Sequence, residues 1–391
     1  MSRRAPGGPS PSGPVARLTP KGARRRRAGH PWIYQSDIAA PPAAEPGDIV
    51  DVVEPGGRPL GRAAWSARSQ IALRAVPLAP DEDPDAGWLR LLDEAITRRD
   101  DRPPATRLVN GDADGLPGLV IDRFGPAASI QALTPAAWRR LDATVARLRD
   151  RGAATIALRN DSRVAEFEGL PADKRLLVGD DPRVLAPVGR LQWAFDLLAG
   201  QKTGGFLDQL ENHQATATFA RGECLDVFTY EGGFALQMAA AGRPVLAVDS
   251  SAPAIERLRE HAARNTLTVT AEVHNAFDAL RAWERDGRRF DTIVLDPPPF
   301  ARARHAVEAA TRAYKEINLR AFKLLRPGGR LVTCSCSAHV TRPAFEQIIA
   351  DAAADAGVWA RVVERRGAPP DHPTLLTAPE TDYLKVLFVS V

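Results

Sequence analysis

Two stretches decide the fold of this chain: CLDVFTYEGGF at residues 224–234 and FDTIVLDPPPF at residues 290–300. Each begins with a short apolar run that is typical of a buried strand, and each run ends in a turn. The first turn contains a glycine pair and leads into a helical segment. The second contains three prolines, which cannot continue a strand ladder. Both stretches therefore predict strands whose carboxyl ends carry polar side chains in tight turns.

Strand and helix alternate in this way throughout residues 199–391. Predicted strands cover 224–228, 245–248, 268–273, 290–295, 330–334 and 383–389, and predicted helices cover 235–241, 252–265, 314–325 and 342–356. The predicted fold class is therefore α/β, with a doubly wound, mostly parallel, Rossmann-like sheet. Ligands of such sheets lie at the carboxyl ends of the strands, near the switch in strand order.

The sequence before residue 199 does not show this regular alternation of strand and helix. Residues 85–198 predict a central α+β domain, residues 15–78 a small β-rich module, and residues 1–14 a disordered tail of low complexity. Within them we predict helices over 88–101 and 135–151 and strands over 49–53, 60–65, 70–76 and 184–195.

Composition limits the class of protein. Of the 391 residues 44% are hydrophobic and 26% are charged, which excludes a disordered chain, and three cysteines exclude a disulfide scaffold. No apolar run approaches the roughly 18 residues of a membrane span, so we expect a soluble, cytoplasmic protein without a membrane partner. The Cys334–Cys336 pair lacks the further ligands of a metal site, so we expect no metal.

Positive charge is concentrated at the front of the chain. The first acidic residue is Asp37, and Arg17 and the run Arg24, Arg25, Arg26 and Arg27 precede it. This distribution favours a polyanionic partner, whereas a solvated tail and an organelle transit peptide are the alternatives.

The turns after the first three strands predict a site for an adenosine-containing ligand. The glycine turn lets the backbone approach a ligand, although it does not match the GxGxxG dinucleotide pattern. Asp249 ends the next strand and suits the two hydroxyls of a ribose, or else it caps the following helix, as Ser250 or Ser251 could. Asn275 follows the third strand and is placed to bond an adenine edge. The candidate ligand-binding residues here are Asp226, Phe228, Tyr230, Gly232, Gly233, Asp249, Ser250 and Asn275.

The turns after the fourth and fifth strands suit a planar base and a nucleophile. Asp296 and the rigid turn at Pro297 and Pro298 can accept from an amino group, and Phe300 can stack on the base. Cys336 is a candidate nucleophile, because neighbouring strands would bring its thiol close to Asp296. We expect Cys334 to point to the opposite face of the strand, and Cys224 to lie in the core.

At these residues the chain resembles the class I S-adenosylmethionine-dependent methyltransferases and, among them, the RlmI-type 23S rRNA cytosine-5 methyltransferases. The segments that carry the resemblance are Lys21-Gly22 with His30-Pro31-Trp32, Asp112 with Asp114–Gly118, Ile121–Arg123, Lys202–Gly204, Leu207–Gln209, Tyr230 with Gly232–Phe234, Asp296–Pro298 and Ser335–Ser337. The first of these resembles the RNA-binding PUA module of the family, so the resemblance implies that residues 15–78 are a PUA-like domain. It also implies that residues 199–391 are the methyltransferase domain.

The resemblance implies a cofactor, a substrate and a mechanism. S-adenosylmethionine would be the methyl donor, and 23S rRNA or a large-subunit precursor the substrate. The Cys336 thiolate would add to cytosine C6, and Asp296 would hold the base and also bind the cofactor. Lys202, Phe206 and Gln209 would close over the cofactor, and Arg17, Arg24–Arg27 and Trp32 would contact RNA, with Pro297, Pro298 and Phe300 at the base.

Three positions depart from the family pattern: Asn275 replaces an expected Asp, Pro299 an expected polar residue, and Cys334 an aromatic. An exocyclic-amine methyltransferase that needs no thiol is the first alternative function, and a non-catalytic RNA-binding or ribosome assembly factor is the second. A homodimer is left open.

Overall fold

The computed structural model describes residues 13–161, 163–301 and 303–391. Within them the chain divides into two compact units. The first contains the residues up to Pro187, together with Ala194–Leu207 and Pro370–Pro379, and the second contains Val188–Trp193, Asp208–Pro369 and Glu380–Val391. Most of the predicted disordered tail, residues 1–12, lies outside the described residues. The predicted division at 15–78, 85–198 and 199–391 stays a prediction.

The first unit begins with a six-stranded sheet in the order β2-β6-β5-β4-β1-β3. Its strands are β1 (Val15–Leu18), β2 (Trp32–Tyr34), β3 (Ile38–Ala40), β4 (Ile49–Val53), β5 (Pro59–Trp65) and β6 (Ile71–Val76). The three predicted strands of this segment are confirmed. Helix α1 (Pro20–Arg27) was not predicted; it begins at Thr19, whose side chain accepts a hydrogen bond from the Gly22 amide at 3.1 Å. The arginine run therefore lies on a helix.

The same unit contains a five-stranded sheet in the order β11-β10-β9-β8-β7. Its strands are β7 (Ala105–Asn110), β8 (Leu119–Phe124), β9 (Ala127–Ala132), β10 (Thr155–Arg159) and β11 (Lys174–Val178), and its helices are α2 (Pro84–Thr97), α3 (Pro135–Arg139), α4 (Leu141–Asp150) and α5 (Arg163–Phe167). The single helix predicted over 135–151 is two helices that meet at Arg140, which has φ −104° and ψ 13°. The single strand predicted over 184–195 is also two, β12 (Arg183–Val188) and β13 (Leu191–Asp196), because Gly189 turns the chain at φ +61°.

The second unit is built on a seven-stranded sheet in the order β16-β15-β14-β17-β18-β20-β19. Its strands are β14 (Cys224–Val227), β15 (Val245–Asp249), β16 (Thr270–Val273), β17 (Phe290–Leu295), β18 (Leu325–Ser335), β19 (Arg361–Arg366) and β20 (Lys385–Ser390). Its helices are α6 (Leu210–Phe219), α7 (Gly233–Ala240), α8 (Ala252–Arg264), α9 (Ala276–Arg285), α10 (Val307–Leu324) and α11 (Arg342–Asp355). The α/β fold class is confirmed, whereas α6, α9 and β19 were not predicted.

The strand order puts the candidate site at the switch point of the sheet. Strands β16, β15, β14, β17 and β18 pair in parallel, and β20 is antiparallel to both β18 and β19. The order reverses between β14 and β17, which are neighbours. Because ligands of doubly wound sheets bind at the carboxyl ends flanking this reversal, the turns after β14 and β17 are the expected walls of a ligand site.

Two apolar clusters cover the faces of this sheet. One contains Tyr314, Phe322 and Phe345 from α10 and α11, and the other contains Phe234 and Met238 from α7. Both faces are thus buried, as a sheet of parallel strands requires. No helix in the described ranges is long and apolar enough to cross a membrane.

Candidate active site

The turn after β14 has an unusual backbone. Phe228 and Tyr230 have φ values of +64° and +51°, and Gly232 has φ +91°. Non-glycine residues rarely adopt positive φ, and such strain is concentrated at ligand-binding turns. The turn is held by Asp226, whose Oδ2 accepts hydrogen bonds from Thr229 Oγ1 at 2.6 Å and from the Ala235 amide at 2.9 Å.

Asp226 is also the most perturbed carboxylate of this turn. Its side chain is completely buried, and burial raises its pKa from 3.8 to about 7, although the two hydrogen bonds oppose the shift. The other oxygen, Oδ1, is buried and has no hydrogen-bond partner among the described residues. A buried acceptor without a partner is costly, so this atom suits the amino group of a bound ligand.

The two glycines of this turn have packing reasons that the sequence did not reveal. A Cβ on Gly233 would lie 2.3 Å from the ring of His213 on α6, and a Cβ on Gly232 would lie 2.7 Å from Leu258 on α8. The close approach that requires these glycines is thus to neighbouring helices. Contact between them and a cofactor stays a prediction.

Asp249 lies at the carboxyl end of β15 and is joined to the glycine turn. Its Oδ2 accepts from the Tyr230 amide and its Oδ1 from the Ser251 amide, both at 2.9 Å. Ser251, rather than Asp249 or the exposed Ser250, caps α8. The side chain is half-buried, and a carboxylate can accept more than two hydrogen bonds, so Asp249 can still bind hydroxyls.

Asn275 caps helix α9. Its Oδ1 accepts from the amides of Phe277 at 3.0 Å and Asp278 at 3.3 Å. The sequence predicted an acceptor for the adenine amino group at this position. Because Oδ1 is already engaged, the remaining group is the Nδ2 donor, which suits a ring nitrogen of adenine.

The turn after β17 carries Asp296, whose amide is bound to the Val227 carbonyl of β14 at 3.4 Å. Pro297 is buried and Pro298 is exposed. Phe300, the predicted stacking residue, packs in an aromatic cluster with ring-centre distances of 4.8 Å to Tyr314, 6.0 Å to Phe277 and 6.5 Å to Phe228. Its role in stacking on a base stays a prediction.

The turn after β18 carries Cys336. The predicted proximity of the two strands is confirmed, because β18 pairs in parallel with β17 and places Leu295 opposite Thr333. Hydroxyl groups hold the turns together: Ser335 Oγ and Ser337 Oγ each lie 3.0 Å from Tyr314 Oη, and Ser337 Oγ accepts from the Ala301 amide at 3.1 Å. Cys336 is partly exposed, whereas Cys224 and Cys334 are buried.

The expected orientation of Cys334 was wrong. Cys334 belongs to the apolar cluster on the α7 face of the sheet, and Cys336 packs against that same cluster. The reason is the pleat of a strand, in which residues two apart point to one face. Burial raises the pKa of the Cys334 thiol, as do the nearby carboxyls of Asp296 and Asp226, while its hydrogen bond with Gln209 lowers it.

Several side chains around this site were not predicted from the sequence. Tyr314 joins the two serines, and the Tyr383 hydroxyl donates to Asp208 Oδ2 at 2.7 Å. Lys385 is buried in strand β20 and donates to the Ser337 carbonyl. Of these residues, only Lys385 could have been identified from the sequence, because it is a charged residue inside the apolar segment YLKVLF. Within the described ranges no cluster of three or more His, Cys, Asp or Glu could hold a metal ion.

Comparison with known proteins assigns the family. Residues 183–388 match the S-adenosylmethionine-dependent methyltransferase family, and residues 16–76 match the PUA-like domain family. The chain is 36% identical over 371 residues to the ribosomal RNA large subunit methyltransferase I of Erwinia tasmaniensis, covering 91% of this chain and 94% of that protein. The same protein of Salmonella arizonae is also 36% identical over 371 residues, covering 91% of this chain and 92% of that protein.

The chain belongs to the S-adenosylmethionine-dependent methyltransferases. Its fold is also that of a SAM-dependent methyltransferase from Streptococcus mutans, with a TM-score of 0.80, 18% identity and coverage of 96% of this chain and 100% of that chain. A second similar structure, the methyltransferase SMU.776 complexed with SAH, has a TM-score of 0.82, 18% identity and the same coverage. The cofactor of this methyltransferase is S-adenosylmethionine, and the unpartnered Oδ1 of Asp226 fits its amino group.

Of the remaining predicted cofactor residues, Lys202 and Phe206 belong to the first unit. The Lys202 ammonium lies 4.6 Å from the ring centre of Phe206, and Lys202 has φ +52°. Gln209 belongs to the second unit, where its Oε1 accepts from Asn212 Nδ2 at 2.7 Å. Closure of these three residues over the cofactor stays a prediction.

The predicted RNA contacts divide into free and engaged arginines. Arg17 donates to the Pro55 carbonyl at 2.9 Å, Arg27 pairs with Glu54 at 2.7 Å, and the Arg25 guanidinium lies 4.7 Å from the Tyr34 ring centre. Arg26 lines a cavity of about 710 Å³ in the first unit, and burial lowers its pKa. Arg24 is exposed, and Trp32 is half-buried with its ring against His30.

Proposed function

We propose that this methyltransferase transfers a methyl group to C5 of a cytosine in large-subunit ribosomal RNA, with Cys336 as the nucleophile. The substrate class follows the names of the curated relatives and the PUA-like domain. The observation that carries the cytosine-5 chemistry is the position of Cys336, the only partly exposed cysteine of the three, at the end of the strand that neighbours Asp296. We also propose that the protein acts in the cytoplasm, where ribosomal RNA is found. A homodimer stays a prediction.

The proposed roles follow from the chemistry of cytosine. C5 is a weak nucleophile until a thiolate adds to C6, after which it can attack an electrophilic methyl group. When bound, S-adenosylmethionine supplies that methyl group as a sulfonium. Cys336 would form the bond to C6, and Asp296 would accept from the cytosine amino edge and stabilise the charge of the adduct. Loss of the C5 proton then lets the thiolate leave.

Arginines of the first unit would supply the electrostatic contact to RNA. An arginine whose charge is only partly solvated, such as Arg26, gains from an anion brought beside it. We propose that α1 and the adjoining cavity contact phosphates, because guanidinium groups bind phosphate oxygens in a bidentate manner.

Nucleoside mass spectrometry tests this proposal. Purified protein is incubated with unmodified 23S rRNA and S-adenosylmethionine, and the digested nucleosides are separated. We expect 5-methylcytidine from the wild type and from Cys334→Ala, and none from Cys336→Ala, while S-adenosylmethionine binding by calorimetry is retained in all three. A methylated exocyclic amine, or full turnover by Cys336→Ala, would refute the nucleophile.

A trapping experiment adds direct evidence for the bond. RNA that contains 5-fluorocytidine cannot lose a proton from C5, so the thiol adduct should persist. We expect a covalent protein–RNA complex that survives denaturing electrophoresis with the wild type and is absent with Cys336→Ala.

A further inference from the structure

Lys385 is a buried lysine that the cofactor and RNA contacts proposed above do not use. It lies in β20 directly opposite Ser335 of β18, and only 1% of its surface is exposed. Its ammonium donates to the carbonyl of Ser337 and to the carbonyl of Tyr383, both at 2.8 Å. It thus holds the residue that follows Cys336.

The charge of this ammonium is not neutralised by a carboxylate. Within the described ranges Nζ forms no ion pair with an Asp or Glu, and its two hydrogen bonds go to neutral carbonyl groups. A buried ammonium without a counter-charge is costly to a fold. The presence of such an ammonium beside the turn of Cys336 therefore indicates that an anion forms close to it.

The charged groups around Lys385 identify that anion. Asp382, which precedes β20, and Arg342, which begins α11, form an ion pair at 3.2 Å and largely compensate each other. The remaining group is Cys336, at the end of β18. Burial lowers the pKa of Lys385 from 10.5 to about 8, while Cys336 and Asp382 raise it and Arg342 lowers it. Linkage is reciprocal, so an ammonium that a thiolate stabilises must stabilise that thiolate equally.

We propose that Lys385 is a positioning residue for Cys336: its buried ammonium stabilises the thiolate, and its bonds to Ser337 and Tyr383 fix the turn that carries the sulfur. This inference rests on the proposed function. In the step it favours, the S–H bond of Cys336 breaks, the proton goes to solvent, and the sulfur keeps the electron pair with which it attacks C6. Lys385 acts through Cys336 and does not touch the base.

Alkylation of the thiol tests the inference without RNA or methyl transfer. The full chain is treated with iodoacetamide from pH 6 to 9, and mass spectrometry follows the peptide that contains Cys336, with Cys336→Ala as the blank. Because the thiolate is the reactive form, we expect the rate at pH 7 to fall by about tenfold or more in Lys385→Met. Lys385→Arg keeps the charge and should stay within about threefold of the wild type.

The outcomes separate this inference from the proposed function. Equal alkylation rates in the wild type and a folded Lys385→Met would overturn the role of Lys385, even if Cys336→Ala is inactive. An active Cys336→Ala would refute the nucleophile and leave the alkylation result standing. If Lys385→Met does not fold, the wild type decides: its alkylation curve must have its midpoint at lower pH than that of the urea-unfolded chain, and coincident curves would overturn the proposal.

Discussion

At the scale of single residues, the predicted ligand contact Asp226 carries a cost in the stability of the fold. The carboxyl is buried with one oxygen unpartnered, and its pKa is raised to about 7. In the unfolded chain it would ionise near 3.8, so between these values the folded state binds more protons than the unfolded state. The stability associated with this group is therefore present at low pH and is lost as the pH rises through about 7.

We therefore expect Asp226→Asn to stabilise the fold above pH 7. An amide oxygen in the place of Oδ2 can still accept from Thr229 and Ala235, and the amide nitrogen takes the place of the unpartnered Oδ1. Urea unfolding at pH 8 should show a gain on the order of 2–4 kcal/mol over the wild type, which shrinks towards pH 5.

The same variant tests the predicted contact between Asp226 and the cofactor: an amide donor would face the amino group of S-adenosylmethionine in that contact, so we expect weaker binding. Calorimetry at pH 7.5 should show a loss of affinity of about tenfold or more. Asp249→Asn is the comparison, since it makes the same change at the end of the neighbouring strand, where the side chain is only half-buried. Equal stability of Asp226→Asn and the wild type at pH 8 would contradict the assignment.

At the scale of elements, helix α1 determines which arginines of the basic run are available to bind phosphate. The sequence showed four consecutive arginines, and the structure places them around one helix turn with different partners. Arg24 is exposed, whereas Arg25 lies against Tyr34 and Arg27 pairs with Glu54. A guanidinium that no other side chain engages can exchange counterions for phosphates without first breaking a contact in the protein.

Arg24→Ala should therefore weaken RNA binding in a salt-dependent manner. We expect the slope of log K against log salt to become less negative by roughly 0.7–0.9, the value for one phosphate contact. Filter binding to 23S rRNA from 50 to 300 mM salt measures it. The matched control is Arg183→Ala, an exposed arginine of β12, which should leave the slope unchanged. A slope equal to that of the wild type would remove Arg24 from the interface.

At the scale of the whole molecule, the path of the chain is not sequential. Residues Pro370–Pro379 belong to the first unit, although the segments on both sides of them belong to the second. Asp371 binds this segment to the rest of the first unit. Its Oδ2 accepts hydrogen bonds from Thr106 Oγ1 at 2.6 Å and from the Arg107 amide at 3.0 Å. Its Oδ1 lies 2.8 Å from His372 Nδ1. Burial opposes ionisation, but these bonds outweigh it and lower the pKa of Asp371 to about 2.

Asp371→Asn should destabilise the protein at neutral pH. A lowered carboxyl pKa contributes stability that is present above the unfolded value and is lost as the pH falls from about 4 towards 2. Urea unfolding should show a loss of about 2 kcal/mol at pH 7 that is smaller at pH 3. Asp81→Asn, at an exposed position between β6 and α2, is the control and should show no change. A loss that is independent of pH would contradict the ionic role of Asp371.

The sequence predicted most of what depends on local pattern. Strands β4, β14, β15 and β17 and helices α8 and α11 were found to within about two residues, because each is an apolar run of the right period between clear turn signals. Helix α1 was missed because its four arginines carry no apolar stripe, and α6 was missed because its buried side is polar, with Asn212, His213 and Thr216.

Pattern alone determined the α/β class, the turns after β14 and β17 and the family resemblance, because these depend on residues close together in the chain. Tertiary structure alone decided that Lys385 lies beside the turn of Cys336 and that Asp371 returns to the first unit. Both contacts join segments that are 48 or more residues apart. Their register is set by the antiparallel pairing of strands and by the burial of side chains against one another, neither of which leaves a mark in the local sequence.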